Sequence, residues 1–243
     1  MTRLAVVTGA SSGIGAAYAE RLAADGWALM VAARRRDRLE ELADRLRSQW
    51  DATISVVEAD LSRRDHLTSL CEALAAEPVE MLVNNAALAH YRPFRELPPD
   101  QANELVELNV LAPVLLSRAV LPGMTARRAG AVINIASLLA FSGEWNAEHL
   151  PARAVYAASK SFLVTFSQVL AAESAADGVR VQVCCPGMVR TEFHSRQDID
   201  MSSRPRMEAA DVVTASLRDL DEGVVVSIPG LADESAYADI RAA

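Results

Sequence analysis

The sequence predicts an α/β domain in which a doubly wound parallel sheet of about seven strands is flanked by helices. Short apolar runs rich in β-branched residues alternate with longer amphipathic runs, which is the pattern of repeated strand–helix–strand units. Several short runs, such as residues 28–33, are apolar at nearly every position, as expected for strands covered on both faces. Because crossovers between parallel strands are right-handed, these units favour the doubly wound arrangement.

The individual elements follow one another without a linker, a repeat or a low-complexity tract. The predicted strands cover residues 4–8, 28–33, 53–58, 80–84, 131–136, 179–184 and 223–228. The predicted helices cover residues 14–24, 37–49, 64–76, 99–120, 155–175 and 208–219. We therefore expect a single domain over residues 1–243, with irregular loops at about 141–153 and 193–207. Both loops follow strands, where an open parallel sheet forms its ligand crevice, so we expect them to select the substrate.

Composition and charge narrow the class of protein. Hydrophobic residues make up 51% of the chain and charged residues 23%, a balance that supports a large packed core. The net charge of −8 and the isoelectric point near 5.1 argue against a nucleic-acid or anionic-membrane partner. The first strand begins at residue 4, which leaves no room for a signal peptide, and charges interrupt the apolar runs. A cytoplasmic protein without a membrane span is the resulting expectation.

The cysteines and histidines form no pattern typical of a metal or redox site. Cys71, Cys184 and Cys185 contain no CxxC spacing, and the four histidines contain neither HxxxH nor HExxH. The adjacent pair ends a predicted strand, so the two thiols are expected to point to opposite faces as buried groups. We expect no bound metal.

A glycine-rich turn follows the first predicted strand and leads directly into a helix. Glycines here permit a tight turn and let backbone N–H groups approach a pyrophosphate at the positive end of the helix. The GxxxGxG spacing alone also suits a plain turn, but the strand–turn–helix context favours a dinucleotide-binding Rossmann fold. The turn residues expected to contact the cofactor are Gly9, Ser11, Ser12, Gly13, Ile14 and Gly15.

Two arginines at the end of the second predicted strand indicate which dinucleotide binds. A site for NAD usually places an acidic residue there, against the ribose 2′-hydroxyl. This chain has Arg34 and Arg35, and a guanidinium pairs instead with a 2′-phosphate. We therefore expect NADP(H), bound by Arg34 first and Arg35 second. The alternative is a solvated basic helix start, although cations are mildly unfavourable at a helix N-terminus.

Tyr156 and Lys160 form the candidate catalytic pair. Residues four apart lie on the same face of a helix. A phenol with a pKa near 10 is a poor acid–base catalyst at neutral pH, and a nearby ammonium lowers that pKa by stabilising the phenolate. The same spacing occurs in many ordinary helices, so the pair needs support from the rest of the chain.

That support comes from the order of motifs along the chain, which resembles the short-chain dehydrogenase/reductase family over roughly residues 2–193. The motifs are the glycine turn, Asn84, Asn85, Ala86, Asn109, Ser137, Tyr156, Lys160, Pro186 and Gly187. The resemblance implies that Tyr156 is the general acid or base and that Lys160 holds the nicotinamide ribose. It also implies that Ser137 binds the substrate oxygen and that Asn109 supports a water-linked proton relay to the lysine. It further implies a homodimer or homotetramer.

The resemblance carries further cofactor contacts, each with a structural alternative. Asp60 matches the contact to the adenine ring, or it N-caps a helix. Thr191 matches the contact to the nicotinamide carboxamide, or it caps the next helix. Asn84 and Asn85 match contacts to the cofactor, or they end a strand. The remaining implied cofactor contacts are Leu61, Ala86, Pro186, Gly187 and Val189.

The chain departs from the family pattern between Ser137 and Tyr156. The two residues are 19 positions apart, which is longer than is usual in the family. The extra residues fall within 144–151, so this segment either bulges over the substrate, with Trp145 and His149 in contact with it, or forms a solvated loop. Ser142 is an alternative to Ser137. Ala87 also replaces a customary glycine.

The expected function is reversible hydride transfer between NADP(H) and a ketone or secondary alcohol. Both irregular loops contain apolar as well as charged residues, which indicates a medium-sized, partly apolar carbonyl compound. A 3-oxoacyl thioester, a polyketide-like ketone and a steroid all remain open. The alternative is a catalytically idle NADP(H)-binding sensor or scaffold. The presence of all four catalytic residues, Asn109, Ser137, Tyr156 and Lys160, argues against it.

Overall fold

A seven-stranded parallel sheet forms the centre of the computed structural model, which describes residues 3–143, 150–193, 195 and 204–230. The strand order is β3-β2-β1-β4-β5-β6-β7. The strands are β1 (Leu4–Thr8), β2 (Ala28–Ala33), β3 (Ile54–Glu58), β4 (Val79–Asn84), β5 (Gly130–Ile135), β6 (Val179–Cys184) and β7 (Val226–Ser227). The doubly wound sheet predicted from the sequence is therefore confirmed. Its strand order reverses between β1 and β4, and such a reversal opens a ligand crevice at the carboxyl ends of the strands.

Helices cover both faces of the sheet and bury separate apolar clusters. The helices are α1 (Gly13–Ala24), α2 (Arg36–Trp50), α3 (Arg64–Ala75), α4 (Pro99–Val106), α5 (Ala112–Arg127), α6 (Ala154–Ser174) and α7 (Ala209–Asp221). On one face, α1, α2 and α7 bury side chains such as Tyr18, Leu39 and Val212 against the sheet. On the other face, α3 and α5 bury Leu67 and Leu116. Cys184 and Cys185 are buried in different clusters, as their alternation predicted.

The helix predicted over residues 99–120 is interrupted by a wider π turn, Glu107–Leu111, between α4 and α5. Pro113 lies just beyond this turn and has no amide hydrogen. It therefore cannot donate to the carbonyl of Asn109, four residues earlier, as an α-helix would require. Single π turns of this kind are frequent at functional sites.

The last strand is shorter than the predicted 223–228, because its first residues still belong to the end of α7. Gly223 has a φ of +78°, and its N–H donates to the Leu220 carbonyl. The Val224 N–H donates to the Asp219 carbonyl at 2.8 Å. Only Val226 and Ser227 pair with β6 as a named strand.

One helical stretch, Pro99–Arg127, has the length and apolar composition of a membrane span, contrary to the expectation from its interrupting charges. These two measures are weak evidence, since a buried core helix meets them equally. In this fold 44% of the most apolar window is buried, and Leu105, Leu116 and Met124 are core side chains.

Candidate active site

A crevice of about 760 Å³ runs along the carboxyl ends of the strands, within the size range of cofactor and substrate sites. It brings together most of the residues that the sequence predicted. The predicted residues that line it are Gly9, Ser11, Ser12, Gly13, Ile14, Arg34, Arg35, Asp60, Leu61, Asn85, Ala86, Ser137, Tyr156, Pro186, Gly187, Val189 and Thr191. Gly15, Asn84, Asn109 and Lys160 do not line the crevice but lie behind its wall.

The glycine turn is closed so tightly that side chains would not fit. Gly9 has a φ of +66°, and a Cβ built on it would lie 2.8 Å from the Ala86 Cα. A Cβ on Gly15 would lie 2.5 Å from the Gly9 carbonyl oxygen. The Asn85 Nδ2 donates to the carbonyl oxygens of Thr8 and Gly9 at 2.9 and 3.2 Å, which joins the turn to the end of β4. The turn therefore has the close backbone that a bound pyrophosphate requires.

The N-terminus of α1 faces the same turn and suits an anion. The side chain of its N-cap residue, Ser12, makes no capping hydrogen bond, and its first turn contains no acidic residue. The first N–H groups of a helix have no partner within the helix, and the helix dipole makes this end positive. These features fit the pyrophosphate of a dinucleotide.

The two arginines at the end of β2 differ in what they contact. The Arg35 guanidinium donates to the Ser11 Oγ at 3.0 Å and to the Ser12 Oγ at 2.9 Å. It also forms an ion pair with Glu192 at 3.0 Å. Arg34 is more exposed and forms a 3.7 Å ion pair with Glu104 of α4. Both arginines line the crevice, but Arg35 lies against the glycine turn itself.

Asp60 and Asn84 have contacts that the motifs did not reveal. The Asp60 carboxylate accepts hydrogen bonds from the Ser62 N–H and hydroxyl, at 3.1 and 2.7 Å. It does not N-cap α3, whose N-cap residue is Arg63. The Asn84 Nδ2 donates to the Asn134 Oδ1 at 2.9 Å, away from the crevice. Its side chain thus joins two neighbouring strands beneath the site.

We call the part of the crevice around Tyr156 its substrate end. The Tyr156 phenol is almost fully buried there. Burial raises its pKa to about 12, while hydrogen bonds from the Ser137 and Tyr91 hydroxyls act in the opposite direction. The Tyr91 ring meets the Tyr156 ring edge-on at 5.5 Å, and the Phe193 ring lies 6.0 Å away. Tyr91 and Phe193 were not predicted, because both lie in loops and only the fold brings them to Tyr156.

Lys160 lies one helical turn beyond Tyr156 and is buried behind the crevice wall. Its Nζ donates to the Ile135 carbonyl at 2.8 Å and lies 5.8 Å from the centre of the Tyr156 ring. Burial lowers its pKa to about 8. The spacing in the sequence therefore corresponds to a basic group close to the phenol.

Asn109 connects the π turn to the loop between β4 and α4. Its Nδ2 donates to the Leu88 carbonyl at 2.9 Å, and its Oδ1 accepts from the Leu88 N–H at 3.1 Å. The same Nδ2 donates to the Ser159 Oγ on α6 at 3.2 Å. The side chain thus holds the loop in place, while Pro113 withholds an amide hydrogen from the Asn109 carbonyl. Pro113, four residues after Asn109, is the sequence signal that marks this turn.

Of the two candidate serines, Ser137 lines the crevice beside Tyr156, whereas Ser142 does not. The Ser142 hydroxyl donates to the Leu139 carbonyl at 2.8 Å and accepts from the Arg153 Nε at 2.8 Å. Arg153 also donates to the backbone carbonyls of Ser142 and Pro151 at 2.9 and 3.2 Å. It thus joins the two ends of the long segment before α6. Trp145 and His149 lie outside the described residues.

The substrate end of the crevice is mostly apolar. Its lining includes Tyr91, Leu139, Leu150, Met188 and Phe193, with Arg204 as a charged group. Among residues 3–143, 150–193, 195 and 204–230, no group of three or more His, Cys, Asp or Glu side chains is placed to hold a metal ion. The arrangement suits hydrogen bonding and proton transfer at one polar atom of an otherwise apolar molecule.

Comparison with known proteins places the chain among enzymes of one family. The family model for short chain dehydrogenase matches residues 3–202. A short chain dehydrogenase of Pseudocercospora fijiensis is 36% identical over 85% of this chain and 66% of its own length. The very-long-chain 3-oxoacyl-CoA reductase of Mus musculus is 31% identical over 91% of this chain and 71% of its own length.

Two solved structures extend the likeness to three dimensions. A short-chain dehydrogenase from Sphingobium yanoikuyae in complex with NADPH is 33% identical, with a TM-score of 0.92 over 99% of this chain and 92% of that one. A bulky-bulky ketone specific alcohol dehydrogenase from Comamonas testosteroni is 31% identical, with a TM-score of 0.88 over 98% and 90%. The glycine turn, the Ser137–Tyr156–Lys160 arrangement and these matches agree, and the chain belongs to the short-chain dehydrogenase/reductase family of oxidoreductases.

Proposed function

We propose that this oxidoreductase uses NADP(H) to interconvert a bulky, largely apolar ketone and the corresponding secondary alcohol. The observation that carries the proposal is that Ser137 and Tyr156 line the same crevice as the glycine turn, with the Ser137 hydroxyl lowering the pKa of the Tyr156 phenol. The Lys160 side chain is buried one helical turn beyond the phenol. A protein that only senses NADP(H) would need the glycine turn. It would not need the Ser137 and Tyr156 hydroxyls in an otherwise apolar part of the crevice.

The catalytic residues act on the substrate oxygen. When bound, NADP(H) supplies or accepts the hydride. The Ser137 and Tyr156 hydroxyls donate hydrogen bonds to the carbonyl oxygen, and Tyr156 gives up its proton in reduction and takes one back in oxidation. The Lys160 ammonium stabilises the phenolate that remains. Pro113 has no N–H to donate to the Asn109 carbonyl. In our proposal this carbonyl accepts a hydrogen bond from a water that links Lys160 to solvent.

The preference for NADP(H) rests on Arg35. Its guanidinium contacts both serines of the glycine turn, so it lies where the adenosine half of a dinucleotide passes from β1 to β2. A guanidinium in this place binds a 2′-phosphate by charge-assisted hydrogen bonds. Arg34 provides a second cation at the edge of the crevice. The Sphingobium relative in complex with NADPH supports this choice.

The substrate class rests on the lining around Tyr156. Tyr91 and Phe193 flank the phenol with aromatic rings, and Leu139, Leu150 and Met188 extend the apolar surface. Such a lining stabilises apolar groups on the substrate by removing their surface from water. The likeness to a bulky-bulky ketone specific alcohol dehydrogenase supports a ketone with a large group on each side.

A homodimer remains a prediction. Phe162 and Val169 on α6 are apolar side chains that are 40% and 53% exposed in the single chain. Exposed apolar residues on one helix support a face for a second copy.

The test of the catalytic assignment is Tyr156→Phe, which removes one hydroxyl and keeps the ring. We expect turnover of a bulky aryl ketone to fall by about 10²–10⁴-fold, the usual contribution of a general acid. NADPH binding, measured by fluorescence titration, should stay within a few-fold of the wild type.

Tyr18→Phe is the matched control. It removes a buried phenolic hydroxyl that donates a hydrogen bond to the Ser216 hydroxyl, on the face of the sheet covered by α1, α2 and α7. Its turnover should equal that of the wild type. Full turnover in Tyr156→Phe would overturn the assignment. Loss of turnover together with loss of NADPH binding would point to misfolding, which thermal unfolding of both variants would reveal.

A further inference from the structure

Tyr91 is a second phenol in the active site that the family motifs do not include. Its ring packs edge-on against the Tyr156 ring at 5.5 Å, inclined by 71°, and its neighbouring hydroxyl lowers the pKa of Tyr156. It also lines the crevice. The Tyr91 ring therefore packs against the residue to which the proton transfer is assigned, and its hydroxyl is near enough to affect that residue's pKa.

Two sets of contacts fix the loop that carries Tyr91. Asn109 binds the N–H and the carbonyl of Leu88 through its amide group. The His90 imidazole lies 3.0 Å from the Glu104 carboxylate on α4. The loop is thus held on both sides of Ala89, which is fully buried. A donor on a loop held in this way keeps its direction without loss of further conformational entropy during the reaction.

We propose that Tyr91 is a positioning residue that donates a hydrogen bond to the Tyr156 oxygen and stabilises its phenolate form during proton transfer. The inference rests on the proposed function, because it requires Tyr156 to be the acid and base. In reduction, Tyr156 passes its proton to the substrate oxygen. The phenolate oxygen that remains accepts a hydrogen bond from the Tyr91 hydroxyl. In oxidation, the same donor keeps the phenolate available to take a proton from the alcohol.

The surroundings of the two phenols suit this division of roles. Burial and the neighbouring Tyr156 raise the pKa of Tyr91 far above its usual value, so Tyr91 stays a neutral donor. The charged or titratable group that faces Tyr156 from its own helix is Lys160, and Tyr91 faces it from the loop after β4. The chain after β6 presents Phe193, which does not titrate, and the chain after β5 presents the Ser137 hydroxyl. The Tyr91 hydroxyl lowers the pKa of Tyr156, and a protonated Lys160 on the same helix would favour the phenolate as well.

The experiment compares Tyr91→Phe with the wild type in pH profiles of kcat/KM for both directions. Loss of a donor to a phenolate raises the pKa of that phenol. The acid limb for alcohol oxidation and the basic limb for ketone reduction should therefore both move to higher pH, by about one unit. Below the acid limb, oxidation should be about tenfold slower at a given pH. A variant that was merely loosened would lose activity in both directions without moving either limb.

A direct titration provides a readout that needs no turnover. The ultraviolet difference spectrum between the wild type and Tyr156→Phe, recorded with NADP⁺ present, reports ionisation of Tyr156. The same difference taken in the Tyr91→Phe background should show that ionisation at a higher pH. Tyr18→Phe again serves as the control, and it should lower thermal stability without moving either profile.

The two assignments fail in different ways. If Tyr156→Phe keeps full turnover, the proposed function is wrong. If Tyr156→Phe is inactive but Tyr91→Phe titrates and turns over like the wild type, only the role of Tyr91 is wrong.

Discussion

The cofactor end and the substrate end of the crevice are built in different ways. At the cofactor end, the glycine turn and the residues directly after β2 and β3 all lie within a few positions of the end of a strand. At the substrate end, Tyr156 is surrounded by residues from three separate connections, which contribute Tyr91, Ser137 and Phe193. Binding of a common cofactor thus depends on local backbone geometry, whereas recognition of the substrate depends on how distant loops meet.

The largest expected effect on cofactor binding tests the claim that the cofactor end depends on backbone geometry. In Gly15→Ala the added Cβ would collide with the Gly9 carbonyl oxygen at 2.5 Å and with the Asn85 side chain. Both neighbours hold the turn, so the turn must open. We expect NADPH affinity to fall about a hundredfold, or roughly 3 kcal/mol, by fluorescence titration.

Gly143→Ala is the matched control, because no atom of the described residues lies within 4 Å of the Cβ position there. It should bind NADPH as the wild type does. Unchanged affinity in Gly15→Ala would show that the close turn is not needed for the cofactor, and the contrast between the two ends would lose its basis.

The second expected effect concerns the side chains that select the cofactor. Arg35→Leu should weaken NADPH binding by about 10–30-fold, the usual loss for a hydrogen bond to a charged group, and leave NADH binding within a few-fold. Arg36→Leu is the control, because Arg36 is exposed and pairs with Glu40 on its own helix. If NADPH and NADH lost affinity equally, the role of Arg35 would be to hold the shape of the glycine turn and not to bind the 2′-phosphate.

The same contrast explains what the sequence predicted and what it did not. The parallel sheet and the glycine turn follow from apolar periodicity and from residues that are neighbours along the chain, so both were predictable. The Tyr156–Lys160 pair was predictable because i and i+4 share a helix face. The roles of Tyr91 and Phe193 depend on where three connections meet, and single-sequence patterns carry no such information.

Two further details show the limit of local patterns. The helix over 99–120 was expected to be continuous, although Pro113 already marked the place where its hydrogen bonding changes. The order of Arg34 before Arg35 was based on position after the strand alone. The contacts of Arg35 with Ser11 and Ser12 depend on side-chain direction, which the order of residues does not give.

Glu192 joins the two ends of the crevice and gives the smallest of the expected effects. It pairs with Arg35 across the cofactor end, and its neighbour Phe193 packs against Tyr156 at the substrate end. A 2′-phosphate and the Glu192 carboxylate would compete for the same guanidinium. Glu192→Gln should therefore strengthen NADPH binding by about threefold, a small change because the pair is partly exposed to solvent.

NADH, which has no 2′-phosphate, should bind equally well to both forms. Because the competition is between anions, the gain in NADPH affinity should also shrink as salt is added. Glu41→Gln on the exposed side of α2 provides a control of equal charge change. Weaker NADPH binding in Glu192→Gln would mean that Glu192 orients Arg35 toward the phosphate. Glu192 would then help to place Arg35 at the cofactor end as well as its neighbour Phe193 at the substrate end. Binding of the cofactor and of the substrate would in that case support each other.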